Sequence, residues 1–206
     1  ILRSDRNRAG GGVACYVKNN ICFDIKDFFD KKIEGLFFDI LLQNSKPFSV
    51  GIVYRPPHDN DFLDILNENF HKINPENKEI YILGDLNINI LIGGKSILDN
   101  KFHANAESNA GTLSSICKKY KEFCSYHSLN QLICSPTRIT SNTSTLLDHV
   151  ITNTPYKIYQ SGVLDIGLSD HQLIFCTRKM HKEKSKGLNK VKLRCFKNYD
   201  IQVFEN

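Results

Sequence analysis

No apolar run in this 206-residue chain approaches the eighteen residues that a membrane-spanning helix requires. The greasiest stretch, Leu36–Leu42, is short and broken by Asp39. Cys-x-x-Cys pairs are missing too. The seven cysteines stand scattered at positions 15, 22, 117, 124, 134, 176 and 195, which suggests neither a zinc site nor a thioredoxin-like motif. Cys15, Cys22, Cys134 and Cys176 fall in apolar strand-like runs, while Cys117 and Cys124 share a helix face. All read as small buried hydrophobes in a reducing, intracellular compartment, cytoplasm or nucleus. The chain has no internal repeat and no low-complexity segment. It opens Ile1-Leu2-Arg3-Ser4-Asp5-Arg6, with no initiating Met and no signal-like apolar block, and so reads as a piece of something longer.

Net charge is nearly absent from the body and concentrated in a tail. The chain carries a formal +5, but residues 178–206 alone hold +6, leaving the rest at −1. The basic balance is therefore weak support for a nucleic-acid grip by the body, and residues 179–206 read as a basic, solvated linker. Lys179, Lys182, Lys184 and Lys186 are the cations there that can track a phosphate backbone.

Apolar residues make up 41% and charged residues 24%, a balance that places residues 1–178 among globular domains. Val13–Val17 reads as a strand after Gly10-Gly11-Gly12, and Leu36–Leu42 and Phe48–Tyr54 as a hairpin ended by Pro56-Pro57. Asp61 suits a helix N-cap before Phe62, Ile65, Leu66, Phe70 and Ile73. Ile80–Leu83 has the continuous apolar pattern of a strand buried on both faces. Residues 92–110 read as a long irregular loop, and Thr112–Ser128 as an amphipathic helix. Gln131–Cys134, Leu146–Thr152 and His171–Thr177 are strand candidates, with Val163-Leu164 a weaker fourth. The fold class is α/β or α+β on stacked sheets.

Four segments place polar groups at strand ends: Tyr54-Arg55-Pro56-Pro57, Gly84-Asp85-Leu86-Asn87, Leu147-Asp148-His149-Val150 and Leu168-Ser169-Asp170-His171. Asp85 and Asn87 are two apart, so an extended backbone puts both on one face, where a carboxylate and a carboxamide can deprotonate and hold a water. Ser169-Asp170-His171 offers a hard-metal ligand beside an imidazole. Asp148 in an apolar run is costly to bury alone, and His171 is a partner that resolves the cost. Taken singly, each has an ordinary reading as a turn, a cap or a backbone-bonded buried Asp.

In this order, together with Arg8–Ala14, Pro136-Thr137-Arg138-Ile139-Thr140 and Ser144–His149, the segments resemble the endonuclease/exonuclease/phosphatase superfamily. The likeness is strongest to the endonuclease domain of non-LTR retrotransposon polyproteins, and it spans roughly residues 3–178. The resemblance implies a four-layer fold, two mixed sheets face to face with helices outside, and Mg²⁺- or Mn²⁺-dependent hydrolysis of phosphodiesters in DNA. By the same likeness, Asp85 is the base and Asn87 directs the attacking water. His171 binds the scissile phosphate, Asp148 holds its imidazole, Tyr54 reaches the phosphate and Asp170 is a metal ligand. Arg138, Thr140, Ser141 and Asn142 are a loop near the nucleic acid, and residues 179–206 resemble the connector into a reverse transcriptase.

The resemblance also implies a first strand-helix-strand, with an Asn and a metal-binding Glu, that this sequence starts after. Glu34 and Glu68 are the nearest acidic candidates, and neither sits in the family's context. A chain left with Asp170 alone for metal is expected to be a poor catalyst. Alternative readings are a non-catalytic remnant, a nucleic-acid-binding domain, and a phosphatase or sphingomyelinase-like phosphodiesterase of the same superfamily.

Overall fold

A computed structural model describes residues 1–6, 11–27, 31–43, 45–73, 78–92, 95–96, 98 and 114–180. The chain order is β1 (Leu2–Ser4), β2 (Val13–Cys15), β3 (Cys22–Ile25), β4 (Glu34–Leu41), β5 (Phe48–Tyr54), α1 (Phe62–Phe70) and β6 (Glu79–Asp85). There follow β7 (Leu91–Ile92), β8 (Lys95–Ser96), α2 (Ser115–Tyr126), β9 (Asn130–Gln131), β10 (Arg138–Ile139), β11 (Ser144–Thr145), β12 (Asp148–Thr152), β13 (Ile158–Leu164) and β14 (Leu173–Arg178). Most of the expected loop at 92–110 and the tail from 181 onward lie outside the described residues.

Six strands make one mixed sheet in the order β3-β4-β5-β6-β12-β9. Every neighbouring pair is antiparallel except β5 and β6, whose parallel pairing needs a crossover, and α1 supplies it. The helix begins as the 61–73 periodicity requires, with one change. Asp61 holds the N-cap position, but the carboxylate that receives the amides of Asp61 and Phe62 is that of Asp59, at 3.0 and 2.9 Å. Helix α2 is capped by Ser114, whose hydroxyl accepts from the Cys117 amide.

The two faces of the sheet differ in what covers them. On one lie α1 and α2, and the core there joins Ile80, Ile82 and Ile151 to Phe62, Leu66, Phe70, Tyr120 and Phe123. Tyr120 and His149 meet across this boundary, at 2.9 Å from hydroxyl to Nδ1. On the other face lie the β1–β2 pair, which meets Glu34 and Tyr54, and the β13–β14 hairpin. Arg178 of β14 lays its guanidinium on the carboxylate of Glu79, at 2.6 and 2.9 Å, and over the Phe48 ring. Lys157 and the Tyr81 hydroxyl complete the ring of donors around Glu79. In keeping with the expected α/β fold class, the described residues form this large mixed sheet with a second layer of two-stranded pairs, and α1 and α2 pack on the sheet's opposite face. Strand β13, of which only Val163-Leu164 was legible, runs seven residues. Polar Gln160 and Ser161 break its apolar run, and its bulge near Ile158–Gln160 breaks the alternation.

Of the cysteines expected to be buried, Cys117 and Cys124 are, Cys15 and Cys176 are half-buried, and Cys22 and Cys134 are exposed. Cys22 lies on the edge strand β3, all four of whose residues are exposed, so an apolar run there does not mean a covered one.

Two histidines are held neutral in the helical layer. Burial pulls the pKa of His149 down to about 4, and burial with the neighbouring His71 does the same to His127. Unfolded histidines take a proton near pH 6.5, and these folded ones do not until about pH 4. Stability is therefore full above about pH 6.5 and falls as the pH drops toward 4, by about 3 kcal/mol for fully buried His149. Urea unfolding followed from pH 7.5 to 4.5 checks this; a midpoint that stays level over that range contradicts it.

Candidate active site

The site follows from register. In the antiparallel pair, Asp148 of β12 stands directly opposite Asp85 of β6. In the parallel pair, Ile52 is level with Leu83, so Tyr54 is level with Asp85, and the Arg55 amide donates to the Asp85 carbonyl at 2.9 Å. Glu34 of β4 stands opposite Tyr54. Side chains alternate along strands, so Glu34, Tyr54, Asp85 and Asp148 form a row across four strands, at one level on the face away from the helices.

His171, from the turn before β14, completes the cluster. Asp85, Asp148 and His171 each offer a ligand atom within 4.8 Å of the others, a group that can hold a metal ion. His171 Nδ1 lies 3.0 Å from Asp148 Oδ2, and because a carboxylate only accepts, Nδ1 carries the proton and Nε2 is left for another partner. Burial raises the Asp85 pKa and the opposed Asp148 raises it further, while the Asn87 amide at 2.9 Å and His171 pull it back. Asp85 is thus a carboxylate with heightened proton affinity beside an imidazole oriented by a second carboxylate.

The turn carrying Asp85 and Asn87 is fixed from beneath. Gly84 has φ +142°, and a Cβ there would stand 1.8 Å from the Val53 carbonyl oxygen, so only glycine lets β5 and β6 approach this closely. Asn87 adopts φ 49°, a left-handed conformation that asparagine tolerates, and its Nδ2 donates to the Arg55 carbonyl at 2.9 Å. Arg55 in turn is 1% exposed and donates from Nε to the Asp59 carbonyl and from Nη1 to the carbonyls of Leu86 and Asn87. The sequence reading named Arg55 only as part of its segment and gave it no role of its own; the signal was a cation set between a strand and two prolines.

With this geometry, the chain matches the Endonuclease/Exonuclease/phosphatase family over residues 3–171. The chain belongs to that family. Among solved structures it is similar to the endonuclease domain of TRAS1, a telomere-specific non-LTR retrotransposon, with a TM-score of 0.61 and 12% identity over 80% of this chain and 72% of that one. It is also similar to the 3′ phosphatase NExo from Neisseria bound to a product DNA hairpin (TM-score 0.51, 13% identity, 80% of this chain and 72% of that one). The 3′-5′ exonuclease NExo from Neisseria meningitidis matches with a TM-score of 0.51 and 13% identity over 78% and 71% of the two chains. At these identities the likeness is one of fold. No curated protein matches the chain.

Against the endonuclease/exonuclease/phosphatase pattern, the remaining expected residues sit as follows. Asp170 lies outside the close cluster, and its Oδ2 accepts from Arg138 Nε at 2.8 Å. Arg138 opens a short hairpin with β11, closed by the Thr140 amide on the Thr143 carbonyl and by the Thr140 hydroxyl, with Ser141 and Asn142 exposed at its tip. Of the two acidic candidates, Glu68 is exposed on α1 and Glu34 joins the row. Counting outward from the hairpin turn pairs residue 34 with residue 54, a signal that was available in the sequence.

Thr137 binds this hairpin to the site. Fully buried, its hydroxyl accepts from the amides of Leu147 and Asp148, both at 3.0 Å, and its carbonyl accepts from the Gln172 amide at 2.7 Å. One residue thereby ties the strand bearing Asp148 to the turn bearing His171. Thr137→Val keeps the shape but strands two buried amides, and is expected to cost about 2–3 kcal/mol in urea unfolding, with Thr137→Ser close to wild type. Equal stability of the valine and serine variants would contradict the assignment.

Proposed function

We propose that the chain is a divalent-metal-dependent phosphodiesterase acting on DNA, an endonuclease of the non-LTR retrotransposon kind that leaves a 3′-hydroxyl. The convergence of Asp85, Asp148 and His171 from separate segments onto one cluster, with Asp148 bonded to the imidazole, carries this reading. The resemblance to TRAS1 in fold supports the retrotransposon branch.

In this reading Asp85 takes the proton of a water that Asn87 steers. The oxygen attacks phosphorus in line, the bond from phosphorus to the 3′ oxygen breaks, and that oxygen leaves as the hydroxyl after protonation. His171 meets the charge on the phosphate through Nε2, and Tyr54 approaches it through its hydroxyl. The carboxylate oxygens of the cluster suit a hard cation, so Mg²⁺ or Mn²⁺ fits the donors of Asp85 and Asp148, with Asp170 nearby on the Arg138 side. When bound, such an ion neutralises phosphate charge. The hairpin of Arg138, Thr140, Ser141 and Asn142 is the proposed contact with the nucleic acid, and the basic residues from 179 onward are the proposed connector to a reverse transcriptase.

A second reading, a nucleic-acid-binding domain without catalysis, is favoured by one observation. The carboxylates of Asp170 and Glu34 are already engaged by Arg138 and Arg6. Nicking of supercoiled plasmid in Mg²⁺ or Mn²⁺ separates the two. The endonuclease reading expects cleavage that EDTA abolishes and that Asp85→Asn and His171→Gln each slow by at least roughly 10²-fold. It also expects saturable Mn²⁺ binding by calorimetry that Asp85→Asn weakens. DNA binding with neither cleavage nor Mn²⁺ uptake supports the non-catalytic reading instead.

A further inference from the structure

The glycine run before β2 has no role in the site as described, yet its residues reach the acidic row. Gly12, at φ +98°, donates its amide to Glu34 Oε2 at 3.0 Å. Arg6 Nε meets the other oxygen of the same carboxylate, Oε1, at 2.5 Å. The Arg6 guanidinium fills the space where a Cβ on Gly11 would stand, 2.6 Å from that atom, and Gly11 is itself at φ +87°. From there it lies 5.6 Å above the centre of the Tyr54 ring. The Arg6 pKa is raised, first by its hydrogen bond to Glu34 and to a lesser degree by Tyr54. Glu34 and Tyr54 are cross-strand partners, so the arrangement is a closed loop: strand to carboxylate, carboxylate to guanidinium, guanidinium to ring, and ring back to the adjacent strand.

We infer that Glu34 and Arg6 are positioning residues for Tyr54: together with the Gly11-Gly12 turn they hold its ring level with Asp85. This rests on the reading of Tyr54 as a phosphate-facing group. A salt bridge on a partly exposed surface contributes little to stability by itself, which argues for a positioning part over a purely structural one. It also explains a glutamate half-buried at the level of the acidic row though it lies outside the close metal-binding group.

The test uses the full chain with ring-¹³C-labelled tyrosine, the Tyr54 signal being assigned from Tyr54→Phe. Arg6→Ala, Glu34→Gln and Gly11→Ala should each shift the Tyr54 ring signal while leaving Tyr120 and Tyr156 in place, with Arg6→Lys intermediate. Binding of a fluorescent single-stranded oligonucleotide in Ca²⁺ gives the second measurement. Arg6→Ala and Glu34→Gln should weaken it about as much as Tyr54→Phe, roughly three- to tenfold, and Arg6→Ala should add nothing in the Tyr54→Phe background. An unmoved Tyr54 signal in both Arg6→Ala and Glu34→Gln overturns the inference, as does an Arg6→Ala effect undiminished in the Tyr54→Phe background. Should Tyr54→Phe alone leave binding unchanged, the phosphate-facing reading of Tyr54 fails, and the ring signal still decides whether Glu34 and Arg6 hold it.

Discussion

Everything at the site depends on the register between β6 and β12, which sets Asp148 against Asp85. Two carboxylates directly opposite one another are unfavourable, and a one-residue slip would relieve the clash by turning Asp148 to the helical face. The neighbouring residue forbids the slip. His149 points into the helical layer, where its ring bonds the Tyr120 hydroxyl through Nδ1 and the Ile88 carbonyl through Nε2. Moving the strand by one position would bring a charged aspartate into that layer and leave these partners unpaired. A core hydrogen-bonding pattern on one face thereby enforces an electrostatically unfavourable arrangement on the other. His171, bonded to Asp148, and the Asn87 amide, bonded to Asp85, offset the repulsion where it arises.

Buried charge is handled in two distinct ways. Asp39 is met by Ser49, Lys78 and Lys26, and Glu79 by Arg178, Lys157 and Tyr81, so each buried carboxylate has several donors. The pKa of Glu79 is held down to about 2 against its burial by those donors, the Arg178 bond first among them. Arg55 is different: its hydrogen bonds go to backbone carbonyls. Those carbonyls belong to the β5–α1 connection and to the turn after β6, where irregular backbone needs donors, and a planar fork of donors answers several at once. The guanidinium therefore organises backbone in the way an ordered water does, but with a covalent anchor beside the turn that carries Asp85 and Asn87.

Much of this was legible in the residues and some was not, for physical reasons. The helix at α2, the β4–β5 hairpin and the buried β6 follow from periodicity, because each buries one consistent face or both. The partnership of Asp148 with His171 was anticipated from the cost of burying a lone carboxylate, and the structure pairs them. Strand β13 was nearly missed because polar residues and a bulge interrupt it, and the exposure of Cys22 because an edge strand has apolar sequence without cover. Glu34 lacked a local signal: its significance comes from a strand partner twenty positions away and an arginine that follows β1. Arg55 reads as surface by composition, and its place between a strand and two prolines marks the position without revealing that backbone carbonyls hold it buried.

The Glu79–Arg178 clamp has a mechanical meaning. It sits at the opposite end of β6 from Asp85, about 20 Å away for a strand of this length. Arg178 also closes the last described strand, immediately before the basic tail. Tension arriving from anything joined beyond that point is delivered first to this buried ion pair and the sheet end beneath it. The acidic row stands at the far rim of the same strand, so a load on the end of β14 and the side chains of the row are held at opposite ends of β6.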